Sequence, residues 1–384
     1  MNAKIISRRR FVGGVAAAVG GAVCRPDLRA WAQTAEPVAM PGERLSPDAY
    51  DSLVKICFNE NPYGPPESVL KAMTGALKYA NRYGYPDGGI MQAIAAHHGV
   101  SPSNIILGAG STEILDVVGT ALLAGRKKVV GAEPTFGSVY EHATGVKADA
   151  IRLPLRADFR QDIPATIQAV KDNHPNVGFV YVCNPNNPTG AIVTKAEVKE
   201  LLDGIPADVP VLIDEAYHHF VESPDYATSV PYVLEGRQVI VARTFSKIAA
   251  LAGMRLGYGI APVNLIEQMR PYIDRLDVNA LAKWGGSAAM KDTAALERVR
   301  SDILRTRKKA TAELERLGYR VIPSETNFFM VHLRQPVRPV ISAFRERGIL
   351  VGRPFPPMLE HLRVSVGTPD EMARFMTAFK AIMV

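Results

Sequence analysis

The chain has 384 residues, 47% hydrophobic and 22% charged, which is room for about two domains and a large core and too apolar for a disordered chain. Three cysteines exclude a disulfide scaffold, and 31 glycines with 28 prolines and no G-X-Y period exclude a fibrous repeat. The net charge of +7 does not mark a nucleic-acid binder, because residues 1–32 hold six basic side chains against Asp27 and leave only +2 for the rest.

The N-terminus reads as an address. Ser7-Arg8-Arg9-Arg10-Phe11-Val12 precedes a weakly apolar run of Gly, Ala and Val from Gly13 to Val23, and Ala30-Trp31-Ala32 offers a cleavage site. The pattern resembles a bacterial twin-arginine export signal over residues 1–32, recognised by the twin-arginine translocase through residues 7–12. The alternative is a membrane anchor, but about a dozen apolar residues fall short of the roughly 20 a spanning helix needs. The expected product is a soluble, periplasmic or otherwise exported protein, cleaved near Ala32. That route carries folded proteins and suits one that acquires a cytoplasmic cofactor before leaving.

Residues 33–60 read as an arm, extended where Pro37, Pro41, Gly42 and Pro47 fall. An α/β rhythm follows. Buried strands are expected at Ile105–Leu107, Lys128–Gly131, Gly178–Cys183, Val209–Ile213 and Gln238–Ala242, with helices such as Thr112–Ala124 and Lys195–Asp203 between them. This predicts a large domain over 61–272, a mostly parallel sheet flanked by helices. A smaller α+β domain is expected over 273–384. It has a long helix from about 293 to 317, short strands at Arg320–Ile322, Phe328–His332 and Leu362–Val366, and helices at 337–347 and 369–382.

Several chemistries are missing. There is no HExxH, no P-loop and no GxSxG, and neither Cys57 nor Cys183 has metal-ligand or CxxC spacing. Gly108-Ala109-Gly110 opens like a dinucleotide fingerprint, but Glu113 stands at its third glycine. His97-His98 and His218-His219 read as surface or packing pairs with diverging rings.

What remains is a set of polar residues just after the strands, where parallel sheets bind ligands. Ser111 and Thr112 open a helix behind Gly108-Ala109-Gly110, which reads as a phosphate site or as a helix cap. Asn184-Pro185-Asn186-Asn187-Pro188-Thr189-Gly190 holds Asn187 in a constrained loop. Asp214 follows Val211-Leu212-Ile213 at the mouth of a buried sheet and needs a cation opposite, with Tyr217 about one helical turn on. Arg243-Thr244-Phe245-Ser246-Lys247 ends another strand, with Arg255 eight residues beyond the lysine.

N-P-N-N-P-T-G, D-E-A-Y and T-F-S-K…A-G-M-R-L-G-Y resemble the fold-type I pyridoxal-phosphate aminotransferases of class I/II. Asn59-Glu60-Asn61-Pro62-Tyr63-Gly64, Tyr85-Pro86-Asp87 and Leu362-Arg363-Val364-Ser365-Val366-Gly367 resemble the histidinol-phosphate aminotransferase-like branch. The likeness runs from about residue 55 to the end. It implies pyridoxal 5'-phosphate held on Lys247 as a Schiff base, with Lys247, Asp214 and Tyr217 catalytic. Asp214 would pair with the ring nitrogen, and Tyr217 and Asn187 would bond the ring hydroxyl. Phe136 would stack on the ring, and Ser111, Thr112, Thr244, Ser246 and Arg255 would cup the phosphate. Arg363 would bind the substrate carboxylate as a fork, with Tyr63 and Arg353 also on the substrate side. A tyrosine of a neighbouring subunit would reach the phosphate. Tyr85 precedes Pro86-Asp87 as that pattern requires, and Tyr83 in Asn81-Arg82-Tyr83 matches it too. The likeness therefore implies a homodimer acting on a small-molecule amino donor and a 2-oxo acid acceptor.

Three departures bear on specificity. Thr112 stands where the branch has an acid, Phe136 replaces a tyrosine, and Val351–Met358 rebuilds the segment lining the substrate side chain. Arg353 there is either a distal anion site or a solvent-facing arginine. A pyridoxal-phosphate decarboxylase or lyase, and a non-catalytic binding protein of the same fold, are the alternatives to an aminotransferase.

Overall fold

The computed structural model describes residues 45–125, 127–274 and 278–383, so the expected export signal lies outside the described residues. The chain divides into two units after Ser52. In the first, the segment expected to be extended contains a short helix, Pro47–Asp51. Ser46 caps it by accepting from Ala49 N at 3.3 Å, and Pro47 takes the first helical position, where a missing N–H costs nothing.

The second unit contains twelve described strands: β1 Val54–Ile56, β2 Ile105–Gly108, β3 Lys128–Glu133, β4 Asp149–Pro154, β5 Val177–Cys183, β6 Val211–Asp214, β7 Val239–Thr244, β8 Gly257–Ile260, β9 Arg320–Ile322, β10 Phe328–His332, β11 Ile349–Val351 and β12 His361–Ser365. Seven form one sheet in the order β2-β8-β7-β6-β5-β3-β4. β4, β3, β5, β6 and β7 run parallel, and β8 runs antiparallel to both β7 and β2.

Side chains alternate across a strand, so each central strand feeds two cores. Val211, Ile213, Val239 and Val241 join one, with Leu201 and Leu202 of helix Lys195–Gly204 and Ala282 of helix Ala280–Lys291. Leu212, Ile240 and Ala242 join the other, with Ile114, Leu115 and Val118 of helix Ser111–Leu122 and Val139 of helix Ser138–Gly145. Both faces are covered by helices. That explains why these strands read as unbroken apolar runs.

The C-terminal elements build a third core. β12, β10 and β9 form an antiparallel sheet, and β1 pairs in parallel with β11. Leu362 and Val364 point into this core with Phe328, Phe344, Phe375 and Phe379, together with Tyr217 and Ile248 from the loops of the large sheet. Arg363 and Ser365 therefore face the other way, toward the strand ends of the large sheet. Cys57 and Cys183 are both buried free thiols, so no disulfide joins them.

Candidate active site

The loops after β2, β5, β6 and β7 converge with β12 and the segment following β1. Lys247 stands three residues past β7, half-buried. Its Nζ donates to Phe58 O at 3.0 Å and lies 5.8 Å from the centre of the Tyr217 ring. Burial first, then the Arg363 guanidinium, hold this amine down at about 8, against the pull of Glu60 and Asp214.

Asp214 ends β6 and is buried. It accepts from Ala216 N at 3.0 Å and from the Tyr181 hydroxyl at 3.5 Å. Burial raises its carboxyl to about 6. Tyr217 is buried too, and its hydroxyl accepts from Asn59 Nδ2 at 3.0 Å and Asn187 Nδ2 at 3.5 Å.

The Asn-rich loop is held by its own side chains. Asn184 bonds Val193 in both senses at 2.9 Å, and Asn186 accepts from Thr135 Oγ1 at 2.7 Å and donates to Pro134 O at 3.1 Å. This leaves Asn187 to face Tyr217 and Arg363. Arg363 is buried, donating from Nη1 to Asn187 Oδ1 at 2.7 Å and from Nη2 to Cys57 O at 2.6 Å. Its buried Nε has no partner. Burial lowers the guanidinium to about 10, so it stays charged at neutral pH.

The phosphate cup sits beside this cluster. Gly110, not Ser111 or Thr112, is the cap of helix Ser111–Leu122, and no side chain caps that end. The two hydroxyls and the first N–H groups are left for a ligand at the positive end of the helix. Thr244 Oγ1 donates to Ser246 Oγ at 2.8 Å. Arg255 takes a left-handed backbone (φ 57°), and its guanidinium bonds Ala252 O at 3.0 Å and Ala109 O at 3.1 Å. Glycine is required at two walls of the cup. Gly110 has φ 86°, a backbone that residues with a Cβ rarely adopt, and a Cβ on Gly257 would overlap the backbone of Gly110 and Ser111.

Phe136 lies half-buried in the loop after β3, packed on the core. Tyr63 does not join the cluster; its hydroxyl bonds Thr306 of helix Thr293–Arg316. Arg353 is exposed, with its guanidinium 4.5 Å from the Phe355 ring centre, and Arg363 approaches the same ring to 4.6 Å. The Tyr85 hydroxyl donates to Val278 O of its own chain at 2.7 Å, whereas Tyr83 is 87% exposed.

The histidine pairs differ from expectation. Their rings lie against each other, with centroids 4.6 Å apart for His97–His98 at a helix end and 3.7 Å apart for His218–His219 in a 3₁₀ turn. They border the buried Arg243–Glu215 ion pair (2.6 Å). Burial, then Arg243, lowers His98 and His219 to about 3, so both are neutral.

These features fit a phosphorylated aromatic cofactor. The cup supplies hydroxyls, amides and a guanidinium for a phosphate, Asp214 a buried carboxyl for a ring cation, and Lys247 an amine with a lowered proton affinity. The Aminotransferase class I and II family matches residues 51–379. The chain belongs to the class I and II aminotransferases. It is 36% identical over 338 residues to the histidinol-phosphate aminotransferase of Moorella thermoacetica, covering 86% of each chain. It is 31% identical over 340 residues to that of Bacillus subtilis, covering 87% of this chain and 92% of the other. The structure of the Sinorhizobium meliloti histidinol-phosphate aminotransferase in complex with pyridoxal-5'-phosphate superimposes with a TM-score of 0.81 at 25% identity, over 91% of this chain and 97% of the other. The protein is therefore a pyridoxal 5'-phosphate-dependent aminotransferase, acting on amino and oxo acids, with the mostly parallel fold-type I sheet.

Sequence reading missed Asn59, Tyr181, Ser365 and Phe355, and the two carbonyls of Cys57 and Phe58. Asn59, Ser365 and Phe355 lie in segments the sequence singled out, but nothing local gives them a role. Each reaches its partner across more than 30 residues of chain except Phe355, which meets Arg363 eight residues on.

Proposed function

We propose that this aminotransferase carries its cofactor on Lys247 and moves an amino group between an amino acid, or a histidinol-phosphate-like amine, and a 2-oxo acid. The observation that carries the reading is the convergence of Lys247, Asp214, Tyr217, Asn187 and Arg363 from four separate stretches of chain. Asp214 would face the ring nitrogen, Tyr217 and Asn187 the ring oxygen, and Phe136 the ring face. Ser111, Thr112, Thr244, Ser246 and Arg255 would hold the phosphate. When bound, pyridoxal phosphate supplies an electron-poor ring that stabilises charge at the substrate α carbon.

The chain's own residues supply the rest. Arg363 binds the substrate carboxylate, its unpartnered Nε offering a donor that no protein group uses. Lys247 Nζ, at about 8, exists partly as free amine near neutral pH and holds or passes the α-carbon proton. Arg353 and Arg363, on the same Phe355 ring, give the substrate pocket a second positive pole that favours a distal anion such as a phosphate.

The wider setting rests on other features. A homodimer is supported by the exposed Leu70, Leu77 and Tyr83, with Tyr83 the tyrosine free to reach a neighbouring cofactor, since Tyr85 is tied to its own chain. Export through the twin-arginine route is supported by residues 7–32. Among the described residues, no helix is long and apolar enough to cross a membrane.

A half-reaction screen tests the substrate reading. Histidinol phosphate, aromatic and acidic amino acids would each be added alone, and the cofactor's visible absorbance followed. Fast bleaching by a phosphate- or carboxylate-bearing amine is expected. Bleaching by none of them overturns the reading.

A further inference from the structure

Asn59 sits at the centre of the site, and the roles above leave it without a task. It is buried, and it adopts a left-handed backbone (φ 56°) that Asn tolerates better than most residues. Asn327 Nδ2 donates to its carbonyl at 3.0 Å, fixing that conformation. Asn59 N donates to Ser365 Oγ at 2.8 Å, and Ser365 returns its hydroxyl proton to Asn59 Oδ1 at 2.9 Å. With Oδ1 occupied, Nδ2 points to the Tyr217 hydroxyl at 3.0 Å.

The other neighbour of Tyr217 is fixed by a stricter argument. A guanidinium can only donate, so Arg363 Nη1 forces Asn187 to present Oδ1 to it and Nδ2 to Tyr217. Arg363, Asn187, Tyr217, Asn59 and Ser365 thus form a chain of hydrogen bonds of 2.7, 3.5, 3.0 and 2.9 Å. Its two ends lie on the same face of β12, two residues apart. Both amides beside Tyr217 donate to its oxygen, so its own hydroxyl proton is left to give.

We propose that Asn59 is a positioning residue that acts through Tyr217: with Asn187 it fills the acceptor sites of the Tyr217 hydroxyl and so turns the Tyr217 proton toward the cofactor's ring oxygen. This rests on the reading that Tyr217 faces that oxygen. A proton held there stabilises negative charge on the ring oxygen and weakens the grip on the proton at the lysine nitrogen. Without Asn59 the Tyr217 hydroxyl is free to rotate, and the lysine-bound cofactor should keep its proton to higher pH. The charged groups facing Lys247, namely Glu60, Asp214, Arg255 and Arg363, stay in place in each variant below.

The test is a pH titration of the visible absorbance of the holoenzyme. Asn59→Gly keeps the left-handed backbone and removes the amide. It should raise the midpoint by roughly half to one pH unit. Asn59→Asp keeps shape and backbone tolerance but replaces the donor with an acceptor, so it should raise the midpoint further; it also serves if the glycine variant does not fold. Each variant is repeated with Tyr217→Phe. A role through Tyr217 requires both shifts to shrink by at least half in that background. Equal shifts in both backgrounds, or no shift where Tyr217→Phe alone gives one, overturn the proposal and leave the reading of Tyr217 standing. An unmoved midpoint in Tyr217→Phe itself overturns that reading and this proposal with it.

Discussion

Arg363 Nη1 donates to Asn187 Oδ1 at 2.7 Å inside the protein, joining the residue read as the substrate anchor to one read as a cofactor contact. Nη2 is held by Cys57 O, and the Phe328 and Phe355 rings lie 5.5 and 4.6 Å from the guanidinium carbon. The guanidinium is thus oriented before any substrate arrives. This matters because a planar fork loses little freedom on binding a carboxylate only if its plane is already set.

Arg363→Lys keeps the charge and loses the fork. It also leaves Asn187 Oδ1 or Cys57 O without a donor. At about 1.5–3 kcal/mol for each charge-assisted hydrogen bond lost, kcat/KM for the amino donor should fall roughly 10–100-fold or more, mostly through KM. Cofactor binding should change much less. Steady-state kinetics with a cofactor titration would check this, and an unchanged KM would count against Arg363 as the carboxylate anchor.

Lys247→Ala should abolish the borohydride-reducible link between protein and cofactor. The cup of Ser111, Thr112, Thr244, Ser246 and Arg255 is untouched, so the variant should still take up cofactor non-covalently. Mass spectrometry of the reduced wild-type protein locates the adduct. Its appearance on another lysine would remove Lys247 from the mechanism.

Gly257→Ala tests the cup as a structure. The added methyl would meet backbone atoms of Gly110 and Ser111, which cannot swing aside as a side chain could. Either β8 separates from the β2 turn or the helix N-terminus shifts. Overpacking of this kind costs about 1–3 kcal/mol, occasionally more. The melting temperature should drop, and cofactor affinity should fall with it. Thermal unfolding and a cofactor titration on the same preparation would show whether both move.

The central strands of the large sheet were legible because helices cover both faces, leaving uninterrupted apolar runs such as Val239-Ile240-Val241-Ala242. β8 was not, since Gly257-Tyr258-Gly259-Ile260 has the composition of a turn. Its glycines are there because Ser111 N and the Ile106 and Ile114 side chains press against it. β4 was missed for the opposite reason: it is an edge strand, with none of its residues buried. In the site, residues that follow strands could be found from position alone. Asn59 and Ser365 could not, because their meaning comes from a contact 306 residues apart in the chain.

Replacing both Arg8 and Arg9 with Lys keeps the charge of the N-terminus and removes the paired guanidinium pattern. Export should stop while the cytoplasmic pool stays active and yellow. Fractionation of cells followed by an activity assay would decide it. Unaltered export of the double variant would defeat the twin-arginine reading.

Asp214→Asn separates a cofactor role from a structural one. Asp214 Oδ1 accepts from Ala216 N at 3.0 Å, and the amide oxygen of Asn can accept that bond equally well. If holding Ala216 N were its task, the substitution would be nearly silent. If Asp214 faces the ring nitrogen, Asn cannot supply the charge that keeps that nitrogen protonated. Removing one such aimed charge typically costs about 10²–10³ in rate. Stability should move the other way in cofactor-free protein. Burial raises this carboxyl from 3.8 to about 6, so the fold holds the proton more tightly than the unfolded chain does. The resulting penalty is absent below about pH 4, grows as pH rises to about 6 and is then constant, at roughly 3 kcal/mol. Asn carries no such penalty. The melting temperature of the Asp214→Asn protein without cofactor should therefore gain on that of the parent between pH 4 and 6, while the loaded enzyme loses activity. A rate near that of the parent, or a stability difference that does not change with pH, would show that this carboxylate does not stand in a buried site waiting for a cation.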